Sequence, residues 1–176
     1  MSTRNPRLNA MQHPIPDRTD WETPTSFFEV YDREFGFTLD VCALPYNAKV
    51  PRHFTPEDDG LAQDWSRDVC WMNPPYGAEI PKWMAKAWGE SQRGATVVCL
   101  VPARTDTRWW HEYAEKGERR FVKGRIRFVG ARFTAPFPCA IVVFRPAMPP
   151  ERAPVLAVDR SRFSPNDSAL TTPRLA

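Results

Sequence analysis

No cysteine in this chain stands at C-x-x-C spacing from another, so the signature of zinc ribbons and dithiol redox centres is missing. Cys42, Cys70, Cys99 and Cys139 each lie in or beside an apolar run, where a buried, reduced thiol is the expected state. His13, His53 and His111 are scattered and fall at no ligand spacing from a cysteine, so no metal is expected. No apolar run reaches the roughly 20 residues that a membrane helix needs. The first residues are polar, without the apolar stretch of a signal peptide, so a cytoplasmic protein without a membrane partner is expected. There is no internal repeat. Glu57, Asp58 and Asp59 are adjacent but have no further ligands in sequence, which makes a poor calcium loop.

What is present is a chain of 176 residues, the length of one domain, with 42% hydrophobic residues and enough Trp and Phe for a real core. The net charge is +3, mildly basic and compatible with a polyanionic partner. Residues 1–18 are polar and read as a flexible segment. Residues 19–145 carry the periodic elements. From residue 146 the composition turns Pro-rich with little apolar periodicity, as in a disordered or loosely docked tail.

The stretch richest in chemistry is Asn73-Pro-Pro-Tyr76. Val69 to Met72 before it is long enough for a buried strand, and Ile80-Pro-Lys-Trp83 after it opens a helix. Neither proline can donate to a ladder, so the four residues form a rigid turn at a strand's carboxyl end, where open α/β sheets place ligands. An amino group on an aromatic base is a poor nucleophile because its lone pair is delocalised into the ring. The Asn73 side-chain oxygen and the Pro74 carbonyl can each accept one of its N–H groups and localise that pair. Pro74 and Pro75 hold the acceptors in place, and Tyr76 offers a face on which a flipped-out base can stack. The bland alternative is a strand-ending turn in a chain of 19 prolines. Composition alone yields about one such tetrapeptide per thousand chains, and its strand–turn–helix context lowers the risk further.

The remaining elements alternate around this loop. Thr23-Pro24 predicts a helix start, with Thr23 as cap, carrying Phe27, Phe28, Tyr31 and Phe35 to Gly36. Residues 37–41 predict a short strand ending in Asp40, a position that often faces a cofactor's amine or hydroxyl and as often is only a turn. Ala95 to Val101 reads as a central parallel strand, and Cys139 to Phe144 as the last strand. Between Arg119 and Phe133 stand six basic residues and no acid. They form either a solvated edge strand or a wall that contacts phosphates.

Taken together, Trp21-Glu-Thr-Pro24, Leu39-Asp-Val-Cys-Ala43, Asn47-Ala-Lys49, Phe54-Thr55, Glu57-Asp-Asp-Gly-Leu61, Trp65, Asn73-Pro-Pro-Tyr-Gly77, Leu100-Val-Pro-Ala-Arg-Thr-Asp106, Gly124-Arg125 with Phe128, and Ala135-Pro-Phe137 form a pattern. Over residues 20–145 it resembles the phage-type DNA N6-adenine methyltransferase (Dam) family. The resemblance implies an α/β fold of the Rossmann-like class I type, with a mostly parallel sheet, helices on both faces and room for trimming. It implies S-adenosyl-L-methionine as methyl donor and adenine in DNA as acceptor. Carried over by position, Asn73, Pro74, Pro75 and Tyr76 would be catalytic. Trp21, Thr23 and Pro24 would border the cofactor, Asp40, Val41 and Cys42 would lie beside its methionine or ribose part, and Asp59 (or Asp58) would bind its adenine, with Asn73 nearby. Arg104, Lys123, Arg125 and Arg127 are the expected DNA contacts. The F-x-G-x-G of the wider superfamily does not follow the first strand. A monomer is expected, in the host-cell cytoplasm if a phage encodes it. Other readings of the same loop are methylation of cytosine N4, RNA adenine or protein glutamine, and a non-catalytic nucleic-acid-binding module.

Overall fold

The computed structural model describes residues 21–146 and the backbone of 155–159. Helix α1 spans Thr25–Phe35. Pro24, with its fixed φ, is the N-cap residue, and Thr23 is buried without capping the helix, contrary to expectation. Gly36 ends α1 in the left-handed conformation (φ 65°), donating its N–H to the Asp32 carbonyl. Strands β1 (Leu39–Asp40) and β2 (Val69–Met72) follow, then α2 (Ile80–Gln92) and β3 (Thr96–Pro102). After α3 (Arg108–Glu112) and a 3-10 turn (Ala114–Lys116) come β4 (Glu118–Lys123), β5 (Cys139–Phe144) and β6 (Val155–Asp159).

The strands form one six-stranded sheet in the order β1-β2-β3-β5-β4-β6. The pairs β1–β2, β2–β3 and β4–β6 are parallel, whereas β5 runs antiparallel to both β3 and β4. The sheet is therefore mixed, with β5 alone reversed. The cause is the connection: β2 reaches β3 through α2, a crossover that permits parallel pairing. Residues 124–138 return from β4 to β5 without a helix, and the chain comes back reversed.

Helices cover both faces. Trp71 faces α1, with its ring 5.3 Å from Phe28. Its neighbour Cys70 points the other way, in line with Val97 and Phe144. Phe144 packs 5.8 Å from Trp88 of α2. On the α1 face Trp71 gathers Phe28, Tyr31 and Phe37 into an aromatic cluster. Each such pair adds about 0.5–1.5 kcal/mol beyond the area it buries.

Two expectations are corrected at the far edge. Cys139–Phe144 is not the last strand, because Val155–Asp159 lies parallel to β4 within the stretch read as a loose tail. Its Val-Leu-Ala-Val run is short enough to be hidden among prolines. Nor is β4 an edge strand, since β5 and β6 flank it. The 1–18 segment lies outside the described residues.

The register decides where function can sit. Met72 pairs with Cys99, Pro102 with Cys139 and Phe121 with Ala140. The loops beginning at Asn73, Ala103 and Gly124 thus leave the same edge of the sheet. No helix among the described residues is long and apolar enough to cross a membrane.

Candidate active site

At this edge a cavity of about 260 Å³ opens between β1, β2, the turn at 55–60 and α2. Trp21, Thr23, Asp40, Val41, Cys42, Asp59, Asn73, Pro74 and Pro75 all line it. The structure thus brings together nearly every residue expected around cofactor and target. Pro24 and Tyr76 are not on the lining.

Asn73 is the polar centre. Its Nδ2 donates to the carbonyl of Trp21, a residue distant in sequence. A carbonyl can only accept, so this contact decides which way the amide faces. Oδ1 is turned the other way, buried and without a hydrogen-bond partner. An orphaned buried acceptor costs about 1–3 kcal/mol, a cost that an arriving N–H would relieve. The Thr23 hydroxyl is a second buried polar group left without a partner.

Asp40 is buried, and its two oxygens accept backbone N–H groups, Oδ2 from Lys49 (3.0 Å) and Oδ1 from Cys42 (3.4 Å). Burial pushes its carboxyl above the usual range, and those two amides oppose the rise. Asp40 therefore shapes the wall by holding both chain segments. The Cys42 thiol is pushed well above its ordinary range, chiefly by burial, and stays neutral.

The acidic turn divides its labour. Asp58 accepts from the Thr55 N–H (2.8 Å) and hydroxyl (2.9 Å), closing the turn. Asp59, in the left-handed region at φ 50°, is the one that lines the cavity. Gly60 follows because a Cβ there would lie 2.3 Å from the Val41 carbonyl. Among the described residues no group of three or more His, Cys, Asp or Glu is arranged to hold a metal.

Tyr76 differs from the expectation of an open stacking face. It is only 7% exposed, with Trp21, Phe128 and Phe137 around its ring at 6.5, 6.1 and 5.6 Å. Its hydroxyl donates to the Leu100 carbonyl at 3.3 Å. The residues from 124 to 138 fold back to make this cover, which spacing around Asn73 does not reveal.

The basic stretch is less uniform than its sequence. Arg119 donates to the carbonyls of Ala114, Glu115 and Gly117, and Arg120 pairs with Glu34 and Glu118. Both are committed to the fold. Arg125, an expected DNA contact, is half-buried, with its Nη1 sealed from solvent and without a hydrogen-bond partner. Burial pushes the Cys139 thiol up to about 12, and the nearby Arg125 charge opposes this. Arg104, Lys123 and Arg127 are exposed at the site's edge of the sheet.

Sequence reasoning did not assign Lys49, Thr55, Gly60 or Trp83, which also line the cavity. Trp83 stacks on Trp65 (6.2 Å), whose Nε1–H donates to the Gly60 carbonyl at 2.9 Å. Lys49, Thr55 and Gly60 stand in the family-like pattern without an assigned role, and Trp83 only in the helix that follows the Asn73 turn.

A helix-flanked mixed sheet, with a cavity at its carboxyl edge walled by a strand-ending Asn-Pro-Pro turn, defines an α/β protein of methyltransferase-like build. The chain belongs to the DNA N-6-adenine-methyltransferase (Dam) family, whose model matches residues 11–162. It is 37% identical over 97 residues to the DNA N-6-adenine-methyltransferase of Haemophilus phage HP1 (strain HP1c1), covering 53% of this chain and 56% of that protein. The match thus spans little more than half of that relative's length. It is also 36% identical over 76 residues to YfdM of Escherichia coli (strain K12), a proposed methyltransferase, covering 39% of this chain and 84% of that one.

Proposed function

We propose that this protein is a site-specific DNA methyltransferase that transfers a methyl group from S-adenosyl-L-methionine to the N6 amino group of adenine. The observation that carries this reading is the orphaned Asn73 Oδ1, buried at the cavity wall and oriented by the Trp21 carbonyl. The reversed strand beside β3 fits a trimmed Rossmann-like class I sheet.

The cavity suits the methyl donor: it offers apolar walls in Val41 and Trp83, the carboxylate of Asp59, and unpartnered polar atoms on Thr23 and Asn73. When bound, S-adenosylmethionine supplies an electrophilic sulfonium methyl. Asn73 Oδ1 accepts one N–H of the target amine and the Pro74 carbonyl the other, drawing the nitrogen towards tetrahedral geometry. Having received the methyl group, the amine would be cationic and would release one proton to water. The neutral amine attacks, so no strong base is required of Asn73, Pro75 or Tyr76. Exposed Arg104, Lys123 and Arg127 favour a nucleic-acid substrate over a protein glutamine. The decisive experiment supplies labelled cofactor with DNA, RNA or protein. N6-methyladenine recovered from DNA supports the proposal; label confined to RNA, protein or cytosine refutes it.

Asp59→Asn should weaken S-adenosylhomocysteine binding about tenfold, the scale of one charge-assisted hydrogen bond. Asn tolerates the left-handed backbone, so the turn survives. Asp58→Asn should leave affinity nearly unchanged, because an oxygen remains for Thr55. Calorimetry without added metal measures both. Wild-type affinity in Asp59→Asn would remove this residue from the site.

For the rim, Arg104→Ala and Arg127→Ala should each lower the slope of log affinity against log salt by about 0.9. Arg119→Ala should not change that slope, since its guanidinium serves three carbonyls. Filter binding over a salt series measures it, and an unchanged slope in the first two variants would return them to ordinary solvated surface.

A further inference from the structure

Three large apolar side chains are strongly exposed among the described residues: Tyr46 (74%), Val129 (41%) and Phe133 (65%). Two of the three share the loop between β4 and β5. The inner part of that loop is fixed, with Phe128 and Ala135 buried and the Ala135 N–H donating to the Ile126 carbonyl at 2.7 Å. Phe128 and Phe137 pack on Trp21 and Tyr76. The Val129 N–H donates to the Glu22 carbonyl (3.0 Å), and Glu22 lines the cavity. The outer part of the loop is thereby laid beside the cavity. There Phe133 projects with the Arg132 guanidinium 5.2 Å from its ring centre and exposed Arg127 on the same loop. Tyr46, by contrast, sits in a turn without arginine.

An exposed ring alone is ordinary. An exposed ring beneath one arginine guanidinium, on a loop that carries a second exposed arginine and is braced against Tyr76, is matched to a polyanion whose interior is stacked bases. A duplex adenine reaches Asn73 only after leaving its stack, which opens a gap between base pairs. Resting on the proposed DNA methylation, we infer that Phe133 enters that gap and stacks on the bases left behind, while Arg127 and Arg132 engage the flanking phosphates.

The test compares Phe133→Ala and Phe133→Trp with wild type on one duplex, on its single strand, and on the duplex with the target adenine opposite an abasic site. Single-turnover methyl transfer is followed, and 2-aminopurine at the target position reports base extrusion whether or not transfer follows. Phe133→Ala should lose on the order of tenfold in rate and in extrusion signal on the intact duplex. It should match wild type on the other two substrates, and Phe133→Trp should restore the duplex rate. An unchanged duplex rate and extrusion signal would overturn the inference, leaving the ring for a protein partner. An equal loss on all three substrates would overturn it too, because a structural or general DNA contact would then suffice. Failure of the wild type to methylate any DNA is a separate result, which would refute the proposed activity rather than the extrusion role.

Discussion

Asn73→Ala is expected to slow single-turnover methyl transfer to adenine-containing DNA by about 10²–10³-fold, the scale of losing one preorganised hydrogen-bonding group. The reason lies in the geometry of one amide. Nδ2 is spent on the Trp21 carbonyl, which leaves Oδ1, on a residue that lines the cavity, buried and without a partner. Alanine removes the acceptor and also the tie to Trp21, whose ring covers Tyr76. Asn73→Asp keeps an oxygen towards the amine but sets a second oxygen against the Trp21 carbonyl, so its rate should fall between the two. Affinity for S-adenosylhomocysteine should change far less than the rate in Asn73→Ala, because the lost contact belongs mainly to the target amine. Tyr76→Phe is the control: it gives up one long hydrogen bond to Leu100 and keeps the ring, and should be mild. Near-wild-type turnover in Asn73→Ala, with circular dichroism showing a folded protein, would make the loop a turn and nothing more.

The second large effect concerns stability. Glu90 is 2% exposed within α2. Oε2 accepts the Trp65 N–H at 3.0 Å, and Oε1 meets Lys86 and Arg93, each at 2.8 Å. Trp65 in turn stacks on Trp83 at the cavity and donates to Gly60. Glu90→Ala strips a buried N–H and a half-buried ammonium of their partner and opens space beside Trp65. Breaking a buried pair on one side costs about 3–5 kcal/mol. Arg93 is well exposed and recovers water, which favours about 3 kcal/mol here. For a chain of this size that corresponds to a fall in Tm of about 6–12 °C. Glu90→Gln keeps an acceptor for Trp65 and should lose less. Thermal unfolding by circular dichroism decides it, and a Tm within 2 °C of wild type would show that Glu90 is dispensable.

The alternation of apolar runs with turn chemistry was enough to place α1, α2, β2, β3 and the Asn73 loop, because those signals are local. Aromatic residues at helical spacing bury one face of α1 wherever that helix lies. Two prolines end a strand in any context. Combined with the resemblance, this named nine of the nineteen residues that line the cavity.

The rest depends on partners far apart along the chain. Asp58 and Asp59 are neighbours with the same chemistry, and only the left-handed turn at Asp59 sends one to Thr55 and the other to the cavity. Arg119, Arg120, Arg125 and Arg127 read alike as a basic run. Packing spends Arg119 on a helix end and Arg120 on Glu34 of α1, and seals the Nη1 of Arg125 from solvent. Thr23 has a capping residue's identity but is carried past that position into the cavity wall. β6 has too short an apolar run to stand out, and only the otherwise open side of β4 gives it a place. Local sequence specifies which backbone shapes are cheap. Which of several like side chains meets a ligand, a carbonyl or a counter-charge is decided when the sheet closes, because burial makes every unpaired polar group costly and thereby assigns each a partner.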